Sequence, residues 1–133
     1  MLVVPNTGEV IALSYLVNKY GTTENLVYGL FTNNITPAET DTLATYTEAA
    51  GGGYASIALT GANWTVTGGA PSAAAYAQQT WNFSGALTGN ATIYGYFAKR
   101  ATSGDLVLAE TFTPFTPAAS GDQIKLTPQI TAD

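Results

Sequence analysis

The side chains able to move protons at neutral pH are few. The 133-residue chain contains no histidine and no cysteine, so its acid–base groups are nine Asp and Glu. Lacking histidine, it has no Ser-His or Cys-His nucleophile pair, and it lacks the commonest metal ligand. The absence of cysteine removes thiolate catalysis and most structural zinc sites. Carboxylate chemistry, as in glycoside hydrolysis, needs two acids facing one another across a cleft, with their proton affinities pushed apart. Glu39 and Asp41 are two residues apart, and Glu48 is nearby. Glu39 stands where it would cap a short helix, and Asp41 reads as a solvated neighbour. Asp105 and Asp122 each follow a glycine, where a tight turn accounts for them, and neither loop offers the several oxygens that calcium requires. Gly51-Gly52-Gly53 lacks the Lys and Ser/Thr that follow a phosphate-binding glycine loop, and reads as a flexible connection. The residues therefore predict no catalytic group, no cofactor and no metal.

The remaining chemistry is contact chemistry. Trp64, Trp81, Tyr76, Tyr94 and Tyr96 are candidates for a sugar-stacking platform, for core, or for interface anchors. Trp81 alternates with Phe83 on one strand face, which predicts core. Tyr94, Tyr96, Tyr76 and Phe115 are the residues expected at an interface.

Composition narrows the partners. Charged residues are 10% of the chain, against about 25% in an average soluble domain, while 46% are hydrophobic. That balance predicts a packed fold whose surface is made by Thr, Ser, Asn and Gln, with the charge depletion of an interface. The net charge is −5, and the four cations are Lys19, Lys99, Arg100 and Lys125. They form no basic stripe, so no nucleic-acid partner is expected. The apolar opening Met1–Pro5 lacks the pattern of a signal peptide, and no run has the length of a membrane span. The motifs Asn34-Ile-Thr36, Asn63-Trp-Thr65, Asn82-Phe-Ser84 and Asn90-Ala-Thr92 match a glycosylation pattern, as chance produces in a chain so rich in Asn and Thr.

The elements that would position these residues are legible as periods. Asn6 and Glu9 have the spacing of a capping box, Val10, Leu13, Leu16, Val17 and Tyr20 recur at helical intervals, and Gly21 supplies a stop, predicting a helix at about 7–19. Leu26–Thr32 then alternates as a strand. Thr36-Pro37-Ala38-Glu39 predicts a second, short helix. Further strands are expected at about 54–60, 63–67, 74–83, 91–98, 106–112 and 123–130, divided by glycine turns, with an extended proline connection at 113–117. The expectation is one mainly β domain over 1–133, an antiparallel sandwich or jelly-roll-like fold with an N-terminal helix. Several strands are apolar on both faces: Ile93, Gly95 and Phe97 oppose Tyr94, Tyr96 and Ala98. Either the helix or a neighbouring subunit would cover the second face.

The order of motifs adds a resemblance. Val3-Val4-Pro5-Asn6-Thr7-Gly8-Glu9 opens the chain, followed by Phe31-Thr32-Asn33-Asn34-Ile35-Thr36-Pro37, Asp41-Thr42-Leu43, Gly53-Tyr54 and Asn63-Trp64. Tyr76-Ala77-Gln78-Gln79-Thr80, Ile93-Tyr94-Gly95-Tyr96-Phe97 and Gly121-Asp122-Gln123-Ile124 complete it. Over most of its length the chain resembles small virion structural proteins of tailed bacteriophages, of the capsid decoration or cement type. The resemblance implies a particle component and does not decide between capsid decoration and a tail or fibre role; the leading expectation is a non-enzymatic cement protein on the capsid exterior, a homo-oligomer, with a trimer favoured, binding the major capsid protein or another virion protein. A tail or fibre component and a carbohydrate-binding module are the alternatives.

Overall fold

The computed structural model describes residues Val3–Ala132; Met1, Leu2 and Asp133 lie outside the described residues. The described chain is mainly β, with antiparallel pairing and one α-helix at its N-terminal end. No helix among the described residues is long and apolar enough to cross a membrane. The chain groups into two compact units.

The first unit takes the residues up to Leu26, Leu59–Gln79 and the stretch from Leu126. Helix α1, Asn6–Leu16, packs on the sheet built from β3 (Thr65–Thr67), β4 (Ser72–Ala75) and β9 (Gln129–Ala132). These strands run in the order β3-β4-β9, antiparallel throughout. The helix begins at Asn6, the residue expected to cap it. Pro5 is the capping residue, and its carbonyl accepts the N–H groups of Gly8 and Glu9. No side chain caps this end. The expected box from Asn6 and Glu9 does not form, because the Glu9 carboxylate is taken by Ser72, whose buried hydroxyl donates to it at 2.6 Å.

The helix also stops before Gly21. Asn18 takes a left-handed conformation, φ 58°. Its N–H reaches the Tyr15 carbonyl, and the Lys19 N–H reaches Ser14 at 2.8 Å. These two bonds form a Schellman motif, and asparagine is the side chain besides glycine that accepts that backbone. The Asn18 amide then donates to Asn25 Oδ1 at 2.9 Å and accepts the Thr23 N–H at 2.8 Å, which fastens the helix end to the following turn.

The second unit takes Val27–Ala58 and Thr80–Lys125. Its main sheet runs β2-β1-β6-β7, where β1 is Leu26–Phe31, β2 Ile57–Leu59, β6 Ile93–Arg100 and β7 Leu106–Phe115. A smaller sheet pairs β5 (Gln79–Asn82) with β8 (Gln123–Leu126). Two glycines make the main sheet's core possible. The Phe97 ring from β6 lies over Gly29 of β1, and the Phe31 ring from β1 lies against Gly95 of β6. A Cβ at Gly29 would sit 2.5 Å from Phe97 Cζ, and one at Gly95 would sit 2.6 Å from Phe31 Cζ. Each large ring thus fills the space its neighbour's missing side chain leaves. Tyr46 completes the cluster, 4.9 Å from the Phe31 centroid.

Three expectations fail here for identifiable reasons. Thr36–Glu39 forms no helix. The Ala38 N–H is taken by Asp41 Oδ2 and the Asp41 N–H returns to the Ala38 carbonyl, closing a local turn, and the only helical turn nearby is the 3₁₀ segment Leu43–Thr45. Gly51-Gly52-Gly53 is no free hinge. All three have positive φ, and their bare α-carbons lie against Thr88, the Gly85 carbonyl and Ser84. Strand β7 runs through Pro114 instead of stopping at 112. Its register with β6 jumps between Ile93↔Phe115 and Gly95↔Thr111, and a strand interior tolerates proline at such an irregularity.

Candidate functional site

The four residues expected at an interface are all half-buried, and all have partners within the chain. Tyr94 packs against the cluster of Phe31, Tyr46 and Phe97, together with Ile35, Leu43, Leu106 and Ala109. Tyr96 lies parallel to Tyr28, with centroids 5.9 Å apart and planes 16° from one another. Its phenol donates to the Glu110 carboxylate. Burial, then that carboxylate, raises its proton affinity above that of an ordinary phenol. Tyr76 meets Trp64 edge-on at 5.1 Å and accepts from the Asn63 amide at 3.3 Å. Phe115 lies 6.2 Å from Phe83. Tyr94, Tyr96 and Phe115 belong to the second unit and Tyr76 to the first, and each serves packing or hydrogen bonding there.

The indoles are buried as well. Trp64 is 0% and Trp81 3% exposed, so neither presents a face on which a sugar ring could stack. Trp81 and Phe83 are core, as their alternation predicts.

The acids do not converge. Among the described residues no group of three or more His, Cys, Asp or Glu could hold a metal ion. Asp41 lines an open depression of about 330 Å³ with Glu39, Pro37, Tyr46 and Leu106–Ala109. Its Oδ2 is committed, accepting the Tyr46 hydroxyl at 2.7 Å and the Ala38 N–H at 2.9 Å. The Tyr46 phenol is pushed up to about 12 by burial and then by its bond to Asp41 and that acid's charge. A phenol so raised holds its proton and serves as a structural donor. Asp122 fills the turn role expected of it: its carboxylate accepts the Ala118 and Ala119 N–H groups, which hold it below the ordinary carboxylate range.

What the surface offers is an apolar face on α1 and its flanks. Val3 is 64% exposed, Val4 53%, Ile11 53%, Tyr15 53%, Leu16 36% and Tyr20 66%. Tyr15 and Tyr20 lean on one another edge-on at 6.3 Å. The opposite side of the helix, Leu13, Ser14 and, just beyond its end, Val17, is buried. The periodic set Val10, Leu13, Leu16, Val17 and Tyr20 mixed the two sides: Val17 is buried, whereas Leu16 and Tyr20 are exposed. The signal that reveals the outer face is that Ile11, Tyr15 and Leu16 are apolar on the side of α1 away from Leu13 and Val17, where a helix with one covered face carries polar residues.

No protein-family model, curated protein or solved structure matches this chain.

Proposed function

We propose that this chain is a non-enzymatic virion protein, a capsid cement or decoration protein that attaches to the outer shell as a homo-oligomer and works by burying surface. The observation that carries the reading is the exposed apolar face of α1. Soluble monomers rarely leave several large apolar side chains together in water, and such patches mark contact sites. Three further features support it. The chain is poor in charge, with 10% charged residues. It has no histidine or cysteine, and Asp41 Oδ2 at the 330 Å³ depression accepts two hydrogen bonds. The motif order resembles phage decoration proteins over most of the chain. On a shell, each contact is modest, and joining several copies multiplies the attachment without new chemistry.

The test is stoichiometry. Quantitative mass spectrometry of purified particles should find this chain in numbers comparable to the major capsid protein. A handful of copies per particle would move it to the tail or fibre, and absence from particles would defeat the reading.

A further inference from the structure

Just past the C-terminal end of α1 stands a cation that is fixed in place and has no acid beside it. The Lys19 ammonium donates to the carbonyls of Ala62, at 2.8 Å, and Trp64. Among the described residues it has no other partner. An ammonium has three N–H groups, so bracing the helix end to this loop uses two of them and leaves one. We propose that the remaining N–H belongs to a binding site for a carboxylated sugar, one uronic-acid-like residue of a glycan. The inference goes beyond the shell reading and uses only the first unit.

Neighbouring donors carry the argument further. Lys19 lines an open depression of about 370 Å³ with Tyr20, Asn25, Thr60 and Gly61. Asn25 Oδ1 accepts the Asn18 amide at 2.9 Å and the Gly61 N–H at 3.0 Å. Both bonds need an oxygen, which fixes the way the Asn25 amide faces and leaves its NH₂ as the free end. That NH₂ makes no hydrogen bond among the described residues. Gly61 opens the 3₁₀ turn Gly61–Asn63, and a Cβ on it would run into the Asn18 carbonyl. A bare α-carbon thus lets the turn approach the helix end closely enough for Thr60 and Asn25 to share one depression. Thr60 is exposed, and its hydroxyl has no partner among the described residues.

These groups select the ligand. The lining residues include one cation and no acid, so the site recognises an acceptor that carries negative charge. A single ammonium, without an arginine fork, matches a singly charged carboxylate better than a phosphate dianion. Tyr20 adds a ring that is 66% exposed and leans edge-on against Tyr15 at 6.3 Å. An aromatic face of this kind covers the C–H side of a sugar, while the free amide and the Thr60 hydroxyl suit its hydroxyl groups.

NMR titration of the isotope-labelled full chain tests the site, with the methyl glycosides of glucuronic, galacturonic and N-acetylneuraminic acid as probes. At least one should bind at millimolar concentration and shift the Asn25 side-chain amide and the Gly61 N–H. Methyl glucoside, which lacks the carboxylate, and acetate, which lacks the ring, should each bind about tenfold or more weakly. Lys19→Gln should weaken binding about tenfold or more, and Tyr20→Ala about two- to tenfold. Asn25→Asp keeps the oxygen that Asn18 and Gly61 need and turns the free NH₂ into a carboxylate oxygen. It should abolish binding with the circular dichroism spectrum unchanged, and it serves alone if Lys19→Gln misfolds. Three acids that all fail to bind, binding no tighter than that of acetate (an adventitious anion only), or binding indifferent to Asn25→Asp overturns the inference. None of these outcomes alters the number of copies on a particle, so the shell reading stands or falls separately.

Discussion

Placing a methyl group on Gly29 tests how the main sheet is built. The added Cβ would stand 2.5 Å from Phe97 Cζ and 3.0 Å from both flanking ring carbons. The ring cannot retreat easily. Phe97 is 1% exposed and packs with Phe31 and Tyr46, which are themselves buried. Overpacking of this sort costs about 1–3 kcal/mol. The gain from restricting the unfolded chain offsets about 0.4–1 kcal/mol of it, since Gly29 does not have a positive φ. The expected net loss for Gly29→Ala is about 1–2 kcal/mol, which for a chain of this length lowers the melting temperature by about 3–10 °C. Gly85→Ala is the control. A Cβ there meets nothing within 4 Å and its φ is not positive, so it should be neutral or slightly stabilising. Phe97→Leu removes the ring tip that clashes, so the double variant should lose less than the two single variants together, with a coupling of about 1 kcal/mol or more. Urea midpoints at unchanged slope report all four proteins. A Gly29→Ala protein as stable as the natural one, or a strictly additive cycle, would refute the ring-over-glycine account.

Other outcomes follow from single groups. Tyr54 accepts the Leu30 N–H at 3.0 Å and donates to Glu48 at 2.8 Å. Tyr54→Phe should cost about 1–3 kcal/mol, because the Leu30 amide loses its partner inside the structure, and hydrogen exchange at Leu30 should quicken. Burial is the largest cause raising the phenols of Tyr28, Tyr46, Tyr54 and Tyr96 above their ordinary value of 10.0. A raised folded-state value means full stability below pH 10, lost as pH climbs through about 12, where Tyr46 ionises. Urea midpoints on either side of pH 10 should show that decline, and midpoints rising with pH there would contradict it. Ile11→Glu should leave the thermal stability of the chain nearly unchanged, since Ile11 is 53% exposed.

Much of the fold was legible because strand formers cluster between glycine turns. Leu26–Phe31 and Ile93–Arg100 lie close to where alternation placed them, and the helix lies within two or three residues of its expected ends. Boundaries set by tertiary contacts were not legible. The segment expected as one strand at 74–83 is two, β4 and β5, and that expected at 123–130 divides at Thr127-Pro128 into β8 and β9. The triple glycine reads as flexible by composition, yet its packing against Thr88 and Ser84 fixes it. Tyr94, Tyr96, Tyr76 and Phe115 are aromatic residues with the chemistry of interface anchors, and their partners within the chain, such as Glu110, Trp64 and Phe83, are too distant in sequence to be legible there. The outer face of α1 was hidden by the same limit. Helical periodicity shows which residues share a side, whereas which side the β3-β4-β9 sheet covers depends on residues some sixty positions away, such as Ser72.

The most direct test is a cryo-electron microscopy reconstruction of particles carrying this chain. The account predicts density on the shell exterior, with Ile11 and Tyr15 enclosed at a boundary between proteins. Density confined to the tail, or a bound copy whose α1 outer face lies open to solvent, would contradict it.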